Sequence, residues 1–253
     1  MPFADHFSAA AAGYAAHRPT YPAALFTWLA AAAPARGRAW DCATGSGQAA
    51  VALAAHFDHV VATDASAEQV AHARPHPRVA YAVAAAEASG LPNASQDLVA
   101  VAQALHWVDR GAFYAEARRV LAPGGVLAAW SYGDAVLGDA AAHHAFRAHA
   151  ALEIDPHWPD ERGMVGEGYR RIPFPFDELA APAFAMTCDW TLAELLGYAA
   201  TWSAVARCRR ATGRDPIPGL AAALAPAWGA PERRVRVEWP LVLRAGRAGA
   251  ANS

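Results

Sequence analysis

Trp40-Asp41-Cys42-Ala43-Thr44-Gly45-Ser46-Gly47-Gln48, followed by Val60-Val61-Ala62-Thr63-Asp64, is the stretch that decides the fold of this chain. A short apolar run meets an acidic residue, and a turn of small residues then opens onto a helix. The second apolar run ends in another carboxylate. A βαβ unit holds a nucleoside in this way: small residues let the backbone approach the ligand, and the acid after the second strand accepts bonds from ribose hydroxyls. Here the acid stands directly before the small-residue turn. Position 50 is Ala, where a dinucleotide-binding turn needs its third glycine for close helix packing.

Composition narrows the field. The 253 residues are 55% hydrophobic and 17% charged, enough apolar material for a sizeable core and one α/β domain with insertions. The net charge of −2 leaves no basic surplus for a nucleic-acid footprint, and Arg207, Arg209 and Arg210 are too short a cluster to supply one. No lysine is present; all 21 basic residues are arginine. That excludes Schiff-base chemistry and a P-loop lysine. Cys42, Cys188 and Cys208 are odd in number and lack zinc spacing, so no metal site is expected and a reducing cytoplasm is. The apolar stretch 23–35 follows a polar, aromatic segment and is broken by Thr27 and Trp28, unlike a signal peptide. No run reaches the roughly 20 apolar residues a membrane span needs.

The rhythm of the first half is that of a parallel sheet. Residues 5–21 read as a short helix and turn, and Pro22 suits the first turn of a helix to about 33. Strands are predicted at 38–42, 59–63, 78–83, 97–102 and 126–130, with helices at 47–57, 66–72 and 110–121 between them. Pro123-Gly124-Gly125 makes a tight turn into the fifth strand. After Tyr132 the pattern changes. A helix is expected at 139–153, then an irregular stretch at 155–176, too long to be mere connection. A strand at 184–190, one or two helices over 192–210 and another at 220–228 follow. The last strand, 234–243, alternates, with Val235, Val237, Trp239 and Leu241 on one face, and 244–253 is expected to fray.

These residues resemble those of class I S-adenosylmethionine (SAM) dependent methyltransferases, over about residues 5–132. The chain is most similar to the type 11 small-molecule group that includes trans-aconitate-methyltransferase-like proteins. Phe7, Tyr14, Arg18-Pro19 and Tyr21-Pro22 carry the resemblance before the core. Asp41 to Gln48, Asp64, Ala86-Glu87, Leu91-Pro92, Gln103 to Trp107 and Leu121 to Gly125 carry it within the core. It implies a Rossmann-like, seven-stranded, mostly parallel sheet with an antiparallel last strand. A lid segment (1–36), a cofactor core (37–132), a helical substrate cover (133–232) with an added strand near 183–190, and a final strand and tail (233–253) would make one domain. It further implies methyl transfer from SAM to a small-molecule acceptor, a carboxylate among the options. An NAD-dependent oxidoreductase and a SAM-binding module without chemistry are the alternatives. Two positions depart from the family pattern: Ala43 stands for a glycine and Ala85 for an acid that bonds adenine.

The resemblance also implies site residues. Asp41 would receive the methionine ammonium, directly or through water, and Ala43, Thr44, Gly45, Ser46, Gly47 and Gln48 would form the loop against the cofactor. Asp64, freed by Ser66 as the better helix cap, would take the ribose hydroxyls beside Ala65. Ala86 and Glu87 would border adenine; Gln103 and Ala104 the methionine end; Trp107 an adenine-side wall. Tyr14 and Arg18, on the lid, would touch the cofactor, with Tyr14 a candidate catalytic group. His106 falls in a motif at the carboxyl edge of the sheet, where a neutral imidazole accepts a proton from an attacking nucleophile. Tyr21, Trp130, Tyr132, Arg171, Arg207 and Arg210 are the substrate candidates, the arginines because a carboxylate is gripped bidentately by guanidinium. A packing His106, and arginines in solvent, are the plainer readings of the same residues.

Overall fold

The computed structural model of the chain describes residues 19–249. Helix α1 (Ala23–Ala32) leads into strand β1 (Arg38–Cys42), α2 (Gln48–Leu53), β2 (His59–Asp64), α3 (Ala67–Ala71) and β3 (Val79–Val83). Strand β4 (Gln96–Ala102), α4 (Arg110–Val120) and β5 (Leu121–Tyr132) complete the parallel half. The second half holds β6 (Val136–Leu137), α5 (Ala140–Glu153), α6 (Arg162–Gly166), β7 (Asp177–Glu178) and β8 (Phe184–Trp190). It ends with α7 (Leu192–Ala200), α8 (Ser203–Thr212), α9 (Ile217–Trp228) and β9 (Val235–Arg247).

The sheet follows the order β3-β2-β1-β4-β5-β9. Pairing is parallel from β3 to β5, while β9 runs antiparallel to β5, β6, β7 and β8. Two of the nine strands, β6 and β7, are only two residues long, so the expected seven-stranded, mostly parallel α/β sheet is the frame. The chain winds outward from β1 to β3 and then returns to place β4 on the other side of β1. That reversal makes a crevice at the carboxyl ends of β1 and β4, where open α/β sheets bind ligands.

Each face of the sheet is covered, as a parallel sheet demands. Leu25, Phe26 and Leu29 of α1 pack with Leu53, Phe57 and Trp130 on one face. Phe113 and Val120 of α4 pack with Trp40, Leu127, Val165 and Tyr169 on the other. A third core joins α5, α7 and α9 to β9 through Phe146, Leu195, Tyr198, Trp202, Leu224, Trp228 and Trp239. Asp139 caps α5, and Thr191 with Glu194 forms a reciprocal capping box on α7. Among the described residues no helix is long and apolar enough to cross a membrane.

Three details differ from the sequence expectation. Helix α2 stops at Leu53, because His56 and Phe57 turn back onto the Leu53 carbonyl. Strand β5 starts at Leu121 rather than after the glycines: Leu121 pairs with Gln96 and Val126 with Leu98, so Pro123-Gly124-Gly125 loops out between two paired positions. Residues 244–247 do not fray. Ala245 and Gly246 are locked between Ala128 and Leu127 of β5 on one side and, at Gly246, Glu178 of β7 on the other.

Ala43 adopts φ +55°, a left-handed conformation that costs an L-residue about 1–2 kcal/mol. Replacing it with glycine removes that strain but adds about 0.4–1 kcal/mol of unfolded-chain freedom. Ala43→Gly is therefore expected to raise the urea midpoint by a net gain on the order of 0.5 kcal/mol at unchanged m-value. A lowered midpoint would mean the alanine methyl packs better than the turn is strained.

Candidate functional site

The loop after β1 is tied down from three directions. Thr44 N–H continues the β1–β2 ladder onto the Thr63 carbonyl at 2.9 Å, and the Thr44 hydroxyl donates to Asp41 Oδ2 at 2.5 Å. Gly45 N–H donates to Asp64 Oδ2 at 2.8 Å, while Asp64 Oδ1 accepts from Ser66 N–H at 2.9 Å. Gln48 Nε2 reaches the Pro19 carbonyl. Ser66 caps α3 as the sequence implies, through Gln69 N–H. Asp64 is nonetheless not free, as both of its oxygens already hold backbone amides. What remains to it are the unused lone pairs of a nearly buried carboxylate. Ala65 beside it is exposed.

Asp41 is held in an electrostatically unfavourable place. It is buried, and its Oδ1 has no hydrogen-bond partner among the described residues. Burial pushes its carboxyl from 3.8 up to about 7, against the lowering effect of the Thr44 hydroxyl. Gly47, at φ +78°, starts α2 where a Cβ would lie only 2.2 Å from the Tyr81 phenol oxygen, so no side chain fits there. Tyr81 is itself anchored on the Arg74 carbonyl.

The loop after β3 lies next to this crevice. Ala86 is buried, and Glu87 Oε1 accepts the Asp109 N–H that starts α4. Ala85, the family's acidic position, is exposed and bridges Ala88. The same loop is clamped from below: Ser89 donates twice to the buried Glu116, which also binds Arg119. The Arg119 guanidinium, helped by Ser89, holds the Glu116 carboxyl down at about 2.

The loop after β4 opens with Gln103 at φ +56°, its N–H on the Trp130 carbonyl and its Nε2 on the Tyr132 carbonyl. Ala104 is buried behind it. His106 is also buried, and its Nδ1 lies 2.8 Å from the Tyr169 hydroxyl. Desolvation first, then the charges of Arg162 and Arg110, lower the imidazole to about 4. This ring is neutral near pH 7. Arg162 stacks on Trp158 at 3.9 Å and donates to Asp134 Oδ1, whose other oxygen binds Arg147.

Several substrate candidates lie elsewhere. Arg171 is 84% exposed and pairs with Glu167 across the turn that follows α6, so it points to solvent. Arg210 is exposed, and Arg207 on the same helix is half-buried. Trp130 is fully enclosed between Tyr21 and Phe26, a core ring rather than a wall of the crevice. Tyr21 and Tyr132 pack edge to face beside it. Trp107 is 37% exposed and leans on the His106 ring at 4.8 Å instead of packing inward. Tyr14 and Arg18 lie outside the described residues. The structure brings Asp41, the 43–48 loop, Asp64, Glu87 and Gln103 together at the carboxyl edge of β1 to β4. It adds Arg110, Arg162 and Tyr169, which the sequence reading did not single out. Arg162 and Tyr169 were signalled only by the irregular 155–176 stretch and the four-residue spacing of Trp158 and Arg162, and Arg110 only by its place at the start of a predicted helix.

Comparison with known proteins agrees with this architecture. The family profile described as "Methyltransferase domain" matches residues 40–129, the span from β1 to the middle of β5. A Dictyostelium discoideum protein named as a methyltransferase is 31% identical over 230 residues, covering 89% of this chain and 87% of its own length. An uncharacterized methyltransferase of Mycobacterium tuberculosis is 37% identical over 134 residues, about half of each chain (52% and 54%). The solved structure of a type II methyltransferase from Anaeromyxobacter dehalogenans superposes with a TM-score of 0.86 at 50% identity, covering 92% of this chain and 98% of that one. The family, and not the glycine turn alone, decides against a nicotinamide cofactor. The chain belongs to the class I SAM-dependent methyltransferases.

Proposed function

We propose that this enzyme methylates a small-molecule carboxylate, working in the cytoplasm without nucleic-acid or membrane partners. The observation that carries the acceptor class is the pair of guanidinium groups, Arg162 and Arg110, acting on a buried, neutral His106. Two positive groups around an uncharged ring favour an anion there. The arginines first expected in this role, Arg171 and Arg210, stand in solvent, so the charge comes from other positions.

Two observations support the fit of SAM to the crevice. Among the described residues Asp41 Oδ1 is a buried acceptor with no hydrogen bond of good geometry, the Ala50 amide acting on the carboxyl only in part, and the ammonium of the methionine moiety would supply a donor. Gly45, half-buried at φ +53° with nothing nearer than 3.9 Å to where a Cβ would stand, keeps the loop backbone bare. Asp64, through its remaining lone pairs, and Glu87, through Oε2, would meet the ribose and adenine side. Gln103 and Ala104 would border the methionine end. When bound, the cofactor supplies a sulfonium methyl, an electrophile strong enough that alignment and water exclusion are the main tasks left.

A carboxylate oxygen is already ionised, so its attack on a methyl releases no proton. No general base is required. That agrees with His106, whose lowered basicity makes it a poor proton acceptor near neutral pH. The cover holds the guanidinium of Arg162 through Asp134 and Trp158, which limits the freedom it would lose on gripping an acceptor.

Calorimetric titration with SAM tests the cofactor part. Asp41 is half-protonated at about 7, so affinity is expected to weaken as the pH falls from 8 to 6, as the charge facing the ammonium disappears. The sign for stability is opposite. A carboxyl raised from 3.8 to about 7 favours the folded state at low pH, and this contribution is lost as pH rises through that window. Asp41→Asn should therefore unfold at higher urea than the parent at pH 8 while binding SAM more weakly. Retained affinity in that variant would remove Asp41 from the site.

A panel of small carboxylic acids, phenols and amines, read by release of S-adenosylhomocysteine, tests the acceptor. Turnover is expected with carboxylic acids. Arg162→Gln is expected to lower kcat/KM roughly 10- to 100-fold, the loss of a charge-assisted bond, with SAM affinity unchanged. Turnover confined to neutral acceptors would overturn the carboxylate reading.

A further inference from the structure

His106 and Tyr169 are 63 residues apart in sequence and meet through a 2.8 Å contact between Nδ1 and the phenol oxygen. Which group donates decides what the imidazole can do. Tyr169 is fully buried and lies just past α6, in the irregular stretch that covers β5. Its backbone has φ +57°, a conformation a bulky residue holds only where its surroundings demand it. The ring is gripped by the core that contains Trp40, Phe113 and Leu127, and Arg244 reaches the Tyr169 carbonyl from β9.

A buried phenol proton needs an acceptor. Among the described residues the Ser131 hydroxyl stands near enough to act on the phenol but makes no hydrogen bond of good geometry, whereas His106 Nδ1 lies within bonding distance. If Nδ1 carried the proton and donated to the phenol, the phenol's own proton would be left with only the poorly aligned Ser131 hydroxyl. The arrangement that satisfies both groups has the phenol donating and Nδ1 accepting. Nε2 then carries the imidazole proton, and it has no hydrogen bond to another described side chain.

We propose that Tyr169 is a positioning residue that fixes the tautomer of His106, so that the ring offers Nε2–H as a donor to the acceptor molecule instead of a basic nitrogen. As regards a donor to a carboxylate, this rests on the methyl-transfer reading above. The titratable and charged groups facing the pair all favour the neutral state. Arg162 of α6 and Arg110 of α4 oppose a proton on the ring, while burial and Tyr114 of α4 keep the Tyr169 phenol protonated well above its usual range. Ser131 of β5 and the nearby Arg244 do not reverse this. Ser131 favours ionisation of Tyr169 only in part, and Arg244 lies against Tyr114. Trp107 leans on the ring and is uncharged.

Long-range proton–nitrogen correlation spectra of histidine-labelled, full-length protein read the tautomer directly, with the His106 signals assigned by their loss in His106→Gln. The Nε2–H form is expected to exceed the Nδ1–H form by about tenfold, the worth of one buried hydrogen bond. In Tyr169→Phe that excess is expected to collapse to a mixture. A dominant Nδ1–H form in the parent, or an unchanged ratio in Tyr169→Phe, would overturn the assignment. If Tyr169→Phe fails to fold, the parent spectrum decides by itself. SAM calorimetry on the same samples separates the two readings: an Nε2–H imidazole in a chain that binds no SAM refutes the cofactor site and leaves the tautomer standing.

Discussion

The carboxylate of Asp64 is the hinge on which the crevice depends. One oxygen holds the Gly45 amide and the other the Ser66 amide, so a single side chain at the end of β2 joins the turn after β1 to the start of α3. Charge-assisted bonds to backbone amides are roughly twice as strong as neutral ones. They are needed here, because the turn contains Ala43 and two glycines in left-handed conformations. With the loop set, Gly47 takes up its position against Tyr81 and Asp41 is sealed behind Thr44. The sequence reading assigned Asp64 to a ligand and gave the cap to Ser66. In the structure Asp64 is first a structural clamp, and any ligand must share it.

The parts that were legible in the sequence are the parts that are local. Asp41 to Gln48 and the run ending at Asp64 lie within one βαβ unit, where strand, turn and helix follow from neighbours a few residues apart. The alternation of Val235, Val237 and Trp239 places them on the buried face of β9 for the same reason. Arg162 and Tyr169 were not legible. They stand in a stretch with no periodicity, and their meaning comes from Asp134 at the end of β5 and His106 beyond β4. Two-residue strands such as β6 and β7 leave no pattern either, since they exist only because β9 is long enough to pair with them. The arginines that looked suitable, Arg171 and Arg210, were chosen by type and spacing. Arg171 instead pairs with Glu167 across an irregular turn and stands in water.

The cover is more than a lid of helices over a sheet. Phe146, Trp202 and Trp228 of the cover share an aromatic core with Trp239 of β9. The cover's contact with the crevice combines polar links, Arg162 and Arg147 on Asp134 and Tyr169 on His106, with apolar packing of Val165, Tyr169 and Ile172 against the sheet. Apolar packing is non-directional, so it cannot aim a guanidinium or choose a tautomer. Hydrogen bonds can. The polar links sit where direction matters, at the edge of β4 and β5, and the apolar mass sits behind them.

Strain follows the same division. Among the described residues, three of the four non-glycine residues with positive φ, Ala43, Gln103 and Tyr169, border the crevice or contact His106. Asp41 adds a buried carboxyl raised to about 7, with one oxygen that makes no hydrogen bond of good geometry among the described residues. Each of these costs folding free energy that a better-packed residue would not, and each leaves a polar group aimed or unpaired where a charged ligand is needed. A chain selected for stability alone would place glycine at 43 and an amide at 41. The residues kept at 41, 103 and 169 instead hold a bare acceptor, a bent loop and an oriented phenol in place before any ligand arrives. Their cost is met by the three apolar cores around them, which is why the strained groups persist in a fold with so much buried aromatic surface.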